Sequence, residues 1–399
     1  MAKVAFLVKS FPKLSETFIL HQITGLIDAG HEVDIYALDD PGESTRHSEF
    51  SDYDLRSRTT YLQFPKISAG IRVARNVTKD VVTNLTYLRL LLRHGTDAAS
   101  LTGAMNGGAA PVKEMASDYD AVHAHFGPIA NAFVEISSGT DTPFIASFYG
   151  FDASEYLRKH PRRYQPLFEA ADTVTVLSED MRSEIVGAGC PPEKTRIVPL
   201  PIDTTKFTFR ERQLPEAGPV KILTVARLVE KKGVEYAIDA VSEVADEHDV
   251  EYIIAGDGPL RESLERRASD IDELVSFRGW VDSEEVQELM SESHIFMLPS
   301  VTASSGDKEG TPTALLEAQA SGLPVISTRH AGIPAIVQDG DTGILVPERN
   351  SGSLADAISE LIGRGGEWPA FGREGRNYIE EKHSVEAVTE KLTQSYSDA

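Results

Sequence analysis

Short apolar runs that end in a polar loop and then open a helix recur along this 399-residue chain, a rhythm that admits little but a layered α/β fold. The fullest instance spans 295–322. Ile295-Phe296-Met297-Leu298-Pro299 reads as a buried strand, Ser300 to Lys308 as a polar loop, and Ala314 to Ala320 as an apolar helix stopped at Gly322. Thr311 is placed to cap that helix, and Pro312 suits its first position. Unpaired amides and the positive end of a helix dipole make such a point an anion site, for a phosphate or pyrophosphate. Glu309 and Glu317 flank it. A carboxylate repels phosphate but accepts hydrogen bonds from sugar hydroxyls. Amides for a pyrophosphate between acceptors for hydroxyls would suit a nucleotide-sugar. Taken alone, the stretch reads equally well as a surface helix with a capping threonine.

The rest of the chain repeats the pattern. Val4–Val8 is a strand, the loop from Ser10 to Thr17 leads into a helix over Phe18–Asp28, and His31–Leu38 is the next strand. No Gly-rich dinucleotide fingerprint follows the first strand, which speaks against a nicotinamide enzyme. Tyr119 to Phe126 is a strand ending at Gly127. His123 and His125 share one face of it. No third ligand of suitable spacing accompanies them, so no metal site is expected; His123 reads as a core histidine and His125 as the residue nearer the mouth. Pro143–Phe148, Thr173–Leu177 (with Ser178 capping a helix) and Arg196–Pro201 are further strands. Thr204 to Gly218 has no apolar periodicity, and the rhythm restarts at Val220. Two domains follow, 1–205 and 206–384, with a last helix over Val385–Tyr396 placed to pack back onto the first.

In the second half, Arg227 sits at a strand end and Lys232 at the next helix entrance, facing one mouth where two cations would neutralise a pyrophosphate. Lys231 reads as solvated. Ala255-Gly256-Asp257-Gly258-Pro259 reads as a structural turn, and the loop at Arg278 could hold a base edge.

Charge narrows the function classes. A formal net charge of −23 excludes general nucleic-acid binding and requires local cations for any anionic ligand. With 15 lysines among the 39 basic residues, the surface also resembles that of proteins adapted to high salt. Residues 66–94 carry six cations against Asp80 alone, with apolar residues at helical spacing, and read as a basic amphipathic segment for an anionic membrane surface. No apolar run approaches the roughly 18 residues of a membrane span. The N-terminus does not read as a signal peptide, and Cys190 stands alone. A cytoplasmic location is expected, peripheral on the inner membrane face if 66–94 engages it.

These motifs, in this order, resemble the retaining glycosyltransferases of family 4. The matching residues are Val225-Ala226-Arg227-Leu228 with Lys232-Gly233, Ala255 to Pro259, Phe277-Arg278-Gly279, the pair Glu309 and Glu317, and Ala331-Gly332-Ile333-Pro334. In the first half, Phe11 to Phe18 and His123-Ala124-His125-Phe126-Gly127 resemble the exopolysaccharide branch, the colanic acid and amylovoran types. The resemblance implies the GT-B fold, two Rossmann-like parallel-sheet domains facing across a cleft. It implies a UDP- or GDP-linked sugar donor used as substrate, no separate cofactor, no metal, and a glycan or lipid-linked acceptor.

By position, Arg227 and Lys232 would hold the donor diphosphate, with the amides of Gly310, Thr311, Pro312 and Thr313 as its cradle. Glu317 would take the ribose hydroxyls, Glu309 the donor sugar, Arg278 the base, and His125 the sugar from the opposite domain. Three departures stand out. Tyr149, where related sequences often carry histidine, bears on acceptor or donor-sugar contacts. The lack of paired glycines after the first strand, and Val198-Pro199-Leu200-Pro201 in place of a more usual polar-Gly pair, bear on acceptor-loop geometry. A soluble small-glycoside synthase, a non-catalytic nucleotide-sugar-binding partner and a nucleotide-sugar epimerase share the architecture.

Overall fold

The structure is a computed structural model, and it describes residues 1–42, 47–62, 116–134 and 140–399. The basic stretch 66–94 lies outside the described residues, as do Gly103 to Gly108, a Gly-rich turn by sequence, and Val112 to Met115, which reads as the end of a further helix. The chain divides into two compact units. The first comprises Met1–Val176, Glu184–Ile197 and Thr389–Ala399, and the second Leu177–Ser183 and Val198–Val388.

The first unit is built on seven strands: β1 (Lys3–Ser10), β2 (Glu32–Asp39), β3 (Thr59–Tyr61), β4 (Ala121–His125), β5 (Phe144–Ser147), β6 (Thr173–Val176) and β7 (Thr195–Ile197). Every pairing is parallel, in the order β3-β2-β1-β4-β5-β6-β7. The strands read as continuous apolar runs because both faces of a parallel sheet are covered; β4 and β5 are buried throughout. β7 is shorter than the sequence suggests. Val198-Pro199-Leu200-Pro201 cannot extend the ladder, since two of its four residues have no N–H to donate.

The second unit carries β8 (Val220–Val225), β9 (Val250–Ala255), β10 (Val275–Gly279), β11 (Ile295–Leu298), β12 (Val325–Thr328) and β13 (Gly343–Val346). They form a parallel sheet in the order β10-β9-β8-β11-β12-β13. Ile222, Tyr252, Ile254 and Met297 on the sheet pack beneath Ala237 and Val241 of the helix Val234–Val244, and Leu354 and Ile358 of the helix Ser351–Gly363. In both sheets the strand order reverses once, between β1 and β4 and between β8 and β11. Open α/β sheets bind ligands at that reversal, beyond the C-terminal strand ends.

Glycine fixes the geometry there. The turn after β9 lies against the backbone after β8: a Cβ on Gly256, at φ +137°, would stand 1.9 Å from the Ala226 carbonyl oxygen. Ala226 and Leu228 N–H groups donate to Ala255 and Asp257 carbonyls in return. The structural reading of the Gly256-Asp257-Gly258 turn therefore holds. Gly256→Ala is expected to destabilise the protein by about 3 kcal/mol, from a backbone region closed to alanine plus the clash. Urea denaturation followed by circular dichroism measures it.

Candidate functional site

At the strand-order reversal of the second sheet, the loop after β8 is tied to the loop after β11 through three consecutive residues. Glu230 accepts hydrogen bonds from the Ser304 N–H (2.8 Å) and hydroxyl (2.7 Å). Lys231 Nζ meets Asp307 at 3.0 Å, and its carbonyl accepts the Val301 N–H. Lys232 Nζ lies 2.7 Å from Glu309 Oε1. Lys231 is thus a tether between loops, and the expectation of a solvated side chain is corrected: Asp307 supplies the counter-charge that a local sequence window cannot show. Gly233 ends this turn at φ +62°, where a Cβ would fall 2.0 Å from the Pro299 carbonyl oxygen. Only glycine lets Lys232 come so close to the neighbouring strand end.

Glu309 is buried, and its other side-chain contact is the Ser300 hydroxyl at 3.3 Å. Burial alone would raise its carboxyl, but Lys232 and, farther off, Lys231 outweigh it and hold the group below its ordinary range. Its backbone N–H donates to His330 Nε2 (3.1 Å), and His330 Nδ1 meets Glu348 Oε1 at 2.7 Å. Since Nε2 accepts, Nδ1 carries the proton and donates it to Glu348. Glu348 in turn accepts the Thr302 N–H at 2.8 Å. Ala331-Gly332, next in the chain, press on the same loop: a Cβ on Gly332 would come 2.1 Å from the Gly310 carbonyl oxygen.

The helix begins one residue later than the sequence suggests. It spans Thr313–Ala320, with Pro312 as its N-cap at ψ 107° and no side-chain cap, so Thr311 caps nothing. Proline holds the extended cap conformation without an N–H to satisfy. The N–H groups of Gly310, Thr311 and Thr313 donate to no other group among the described residues. Glu317, one turn further on, is half-buried and its carboxyl has no partner among the described residues. Burial pushes that carboxyl up to about 7.

The other two positions make no contact with this cluster among the described residues. Arg227, two residues past the end of β8, is exposed, its side chain unpaired among the described residues. Arg278 points toward the helix Ser283–Glu292, 3.7 Å from Glu285, in a cavity of about 400 Å³ walled by Glu251, Asp282, Glu284 and Glu288. No contact joins Arg278 to Lys232 or Glu309 among the described residues. Its neighbour Gly279 accepts the Gly256 N–H at 2.6 Å, which leaves Trp280 at this edge, 73% exposed.

In the first unit, His125 is not at an open mouth. Both histidines of β4 are fully buried. Their ring centroids lie 4.2 Å apart, tilted by 32°, beside Phe6, and Tyr149 covers His125 with a nearly parallel ring. His123 is satisfied at both nitrogens, by Tyr396 (3.0 Å) and Ser147 (2.6 Å). His125 Nδ1 meets the Tyr149 hydroxyl at 2.6 Å, while Nε2 has no partner among the described residues. Burial pushes His123 down to about 3 and holds His125 well below its ordinary range, so both stay neutral. Asp152 fixes the Tyr149 loop: its carboxylate accepts the N–H groups of Tyr149, Gly150 and Gly127, each at 2.9 Å.

Comparison with known proteins agrees with this architecture. Residues 15–201 match the model of the glycosyl transferase 4-like domain, and residues 219–364 that of the glycosyl transferases group 1. A putative colanic acid biosynthesis glycosyltransferase of Salmonella typhimurium is 34% identical over 370 residues, 90% of each chain. An amylovoran biosynthesis glycosyltransferase of Erwinia amylovora is 33% identical over 371 residues, again 90% of each. The chain belongs to this glycosyltransferase family. Among solved structures, the Anabaena HepE protein in complex with UDP covers all of both chains at TM-score 0.74 and 16% identity. Sucrose-phosphate synthase of Thermosynechococcus elongatus gives 0.75 at 18%, covering 100% of this chain and 98% of that one. The fold is GT-B.

Two tests follow from the electrostatics. Lys232→Ala strands the buried Glu309 carboxylate and is expected to cost about 3 kcal/mol of stability, while adding Glu309→Gln restores more than half of it; chemical denaturation of the three proteins measures both. Glu317 has the opposite sign of linkage. Between its unfolded value near 4.5 and its folded value near 7, the native state holds a proton that the unfolded chain has released. Its contribution is therefore complete below 4.5 and lost as pH rises through 7, by about 3 kcal/mol at most. Thermal melts of Glu317→Gln from pH 4.5 to 8 should show that decline removed.

Proposed function

We propose that the protein is a retaining, metal-independent hexosyltransferase. It moves a sugar from a UDP- or GDP-linked donor to a glycan or lipid-linked acceptor in cell-surface polysaccharide synthesis. The observation that carries the reading is the grouping at one helix entrance in the second unit. Lys232, the N–H groups of Gly310, Thr311 and Thr313, and the carboxyls of Glu309 and Glu317 come from two loops and one helix. Amides and an ammonium suit a diphosphate; carboxylates beside them suit hydroxyls. The curated relatives carry the exopolysaccharide assignment, being named for colanic acid and amylovoran biosynthesis.

In this reading Lys232, Arg227 and the amides hold the diphosphate and stabilise the charge that gathers on it as the bond from the anomeric carbon to the phosphate oxygen breaks. The acceptor hydroxyl oxygen bonds to that carbon on the face the diphosphate leaves, and its proton passes to a departing phosphate oxygen. The chain's own cations and amides supply the charge, and no metal is assigned. Glu309, fixed by Lys232 and by the His330–Glu348 pair, is assigned to the sugar, and Glu317 to the ribose. Arg278 and the β10 edge are assigned to the base. His125, with its unpartnered Nε2, is assigned to the sugar side. Contact of 66–94 with an anionic membrane surface is proposed from its charge alone.

Thermal stabilisation by UDP and GDP, with NAD as control, tests the donor assignment, followed by donor hydrolysis with sugars of the nucleotide that binds. One nucleoside diphosphate alone should stabilise the protein. Lys232→Ala should lower kcat/KM at least about 100-fold, and Glu317→Ala should weaken nucleotide binding about tenfold. His125→Ala should lower kcat more than it weakens nucleotide affinity. Stabilisation by neither nucleotide, or wild-type turnover in the Lys232 and Glu317 variants, would overturn the assignment.

A further inference from the structure

From Tyr156 to Phe168 the chain has no acidic residue, yet it carries Arg158, Lys159, His160, Arg162 and Arg163, in a protein of net charge −23. The helices Glu155–Lys159 and Gln165–Ala170 bracket the segment. Lys159 pairs with Glu155. Arg158, Arg162 and Arg163 have no side-chain partner among the described residues, whereas Arg267, Arg329, Arg364 and Arg376 all find carboxylates. With 62 acidic residues available, adjacent guanidinium groups left uncompensated are the exception. Arg162 and Arg163 stand at a cavity of about 580 Å³, lined also by His160 and Gln165, with Glu169 as its one acidic side chain. That volume suits a discrete ligand.

An apolar feature adjoins it. Phe151 is 50% exposed, one of few large hydrophobic side chains left so. Its ring lies 6.1 Å from Tyr156, whose own ring lies 4.8 Å from His160 at the cavity wall. Planar guanidinium groups bind phosphate oxygens in pairs. An exposed aromatic ring linked to the cavity wall through Tyr156 and His160 is what a phosphate carrying a hydrocarbon chain would engage, the ring in the apolar layer and the cations at the phosphate.

We propose that this cavity binds the phosphate of a lipid, with Arg162 and Arg163 on the phosphate and Phe151 against the chain. The proposal concerns the first unit only and stands independently of the donor assignment. Two sources share that chemistry: the headgroup of a bilayer lipid and the diphosphate of an isoprenoid.

The test uses the full chain. Sedimentation with vesicles of phosphatidylcholine, alone or mixed with phosphatidylglycerol, measures headgroup binding. Thermal stabilisation by farnesyl diphosphate, compared with inorganic pyrophosphate, measures the isoprenoid. The double variant Arg162→Glu/Arg163→Glu should lose at least about tenfold in whichever response the wild type shows. Phe151→Ala should lose about threefold without a change of charge. Arg266→Glu/Arg373→Glu, an equal charge change on exposed arginines of the second unit, is the control and should lose less than half as much on a logarithmic scale. Vesicle binding alone identifies a headgroup, and farnesyl diphosphate binding that exceeds pyrophosphate binding identifies an isoprenoid diphosphate. Unchanged lipid binding in the double variant, an equal loss in the control, or pyrophosphate as effective as the lipid would overturn the proposal. A thermal midpoint of the unliganded double variant equal to the wild type's separates failure here from misfolding.

Discussion

The contact of Lys232 with Glu309 joins the loops that flank the one reversal of strand order in the second sheet. An ion pair this enclosed gains little over an apolar pair of similar size, because both charges give up water. What it does supply is position. Glu309 cannot turn away while its N–H is held by His330, and His330 cannot turn while Glu348 takes its other nitrogen. Glu348 is tied by the Thr302 N–H to the same loop that holds Glu309, so the chain of contacts closes on itself. The loop must then run from Ser300 to Pro312 in one conformation, and it leaves three amides at the helix entrance without a partner among the described residues.

Much of this could be read from the sequence, because parallel strands covered on both faces are apolar runs and each ends in a loop on the same sheet edge. Lys232, Glu309 and Glu317 were legible for that reason: they flank a strand end or a helix start. Contacts between distant segments were not. Tyr396 meets His123 across 273 residues of chain, and neither residue's surroundings announce the other. The pairing of His330 with Glu348, and of Lys231 with Asp307, likewise depends on which loops become neighbours. The burial of His125 escaped because a strand end in a sequence gives no sign of what covers it, here the ring of Tyr149. The one-residue error at Thr311 has a local cause: Pro312 suits a cap as well as a first helical position.

The two histidines of β4 illustrate how similar residues two positions apart are set to different ends. Both are neutral through burial, but His123 is satisfied by Ser147 and by Tyr396, and its place is structural. His125 keeps one buried nitrogen without a partner among the described residues, a condition that few buried polar groups hold. Tyr149, which occupies its other nitrogen, is held by the Asp152 carboxylate through the backbone of the following loop. Any change in that loop is therefore transmitted to His125 through a single hydroxyl.

Glu309 and Glu317 lie near one helix entrance and titrate in opposite directions. A cation at 2.7 Å keeps Glu309 ionised despite burial; nothing comparable stands by Glu317, and burial alone governs it. Near neutral pH the first is an acceptor only, while the second is divided between an acid and a carboxylate. A hydroxyl-bearing ligand changes that balance, because two donors replace the water that burial removed and favour the charged form. Binding would then release a proton, and affinity would rise with pH through 7 as the cost of ionising Glu317 falls away. In the proposed reading, the half-buried carboxyl that costs stability above neutral pH is the one a ribose diol would satisfy.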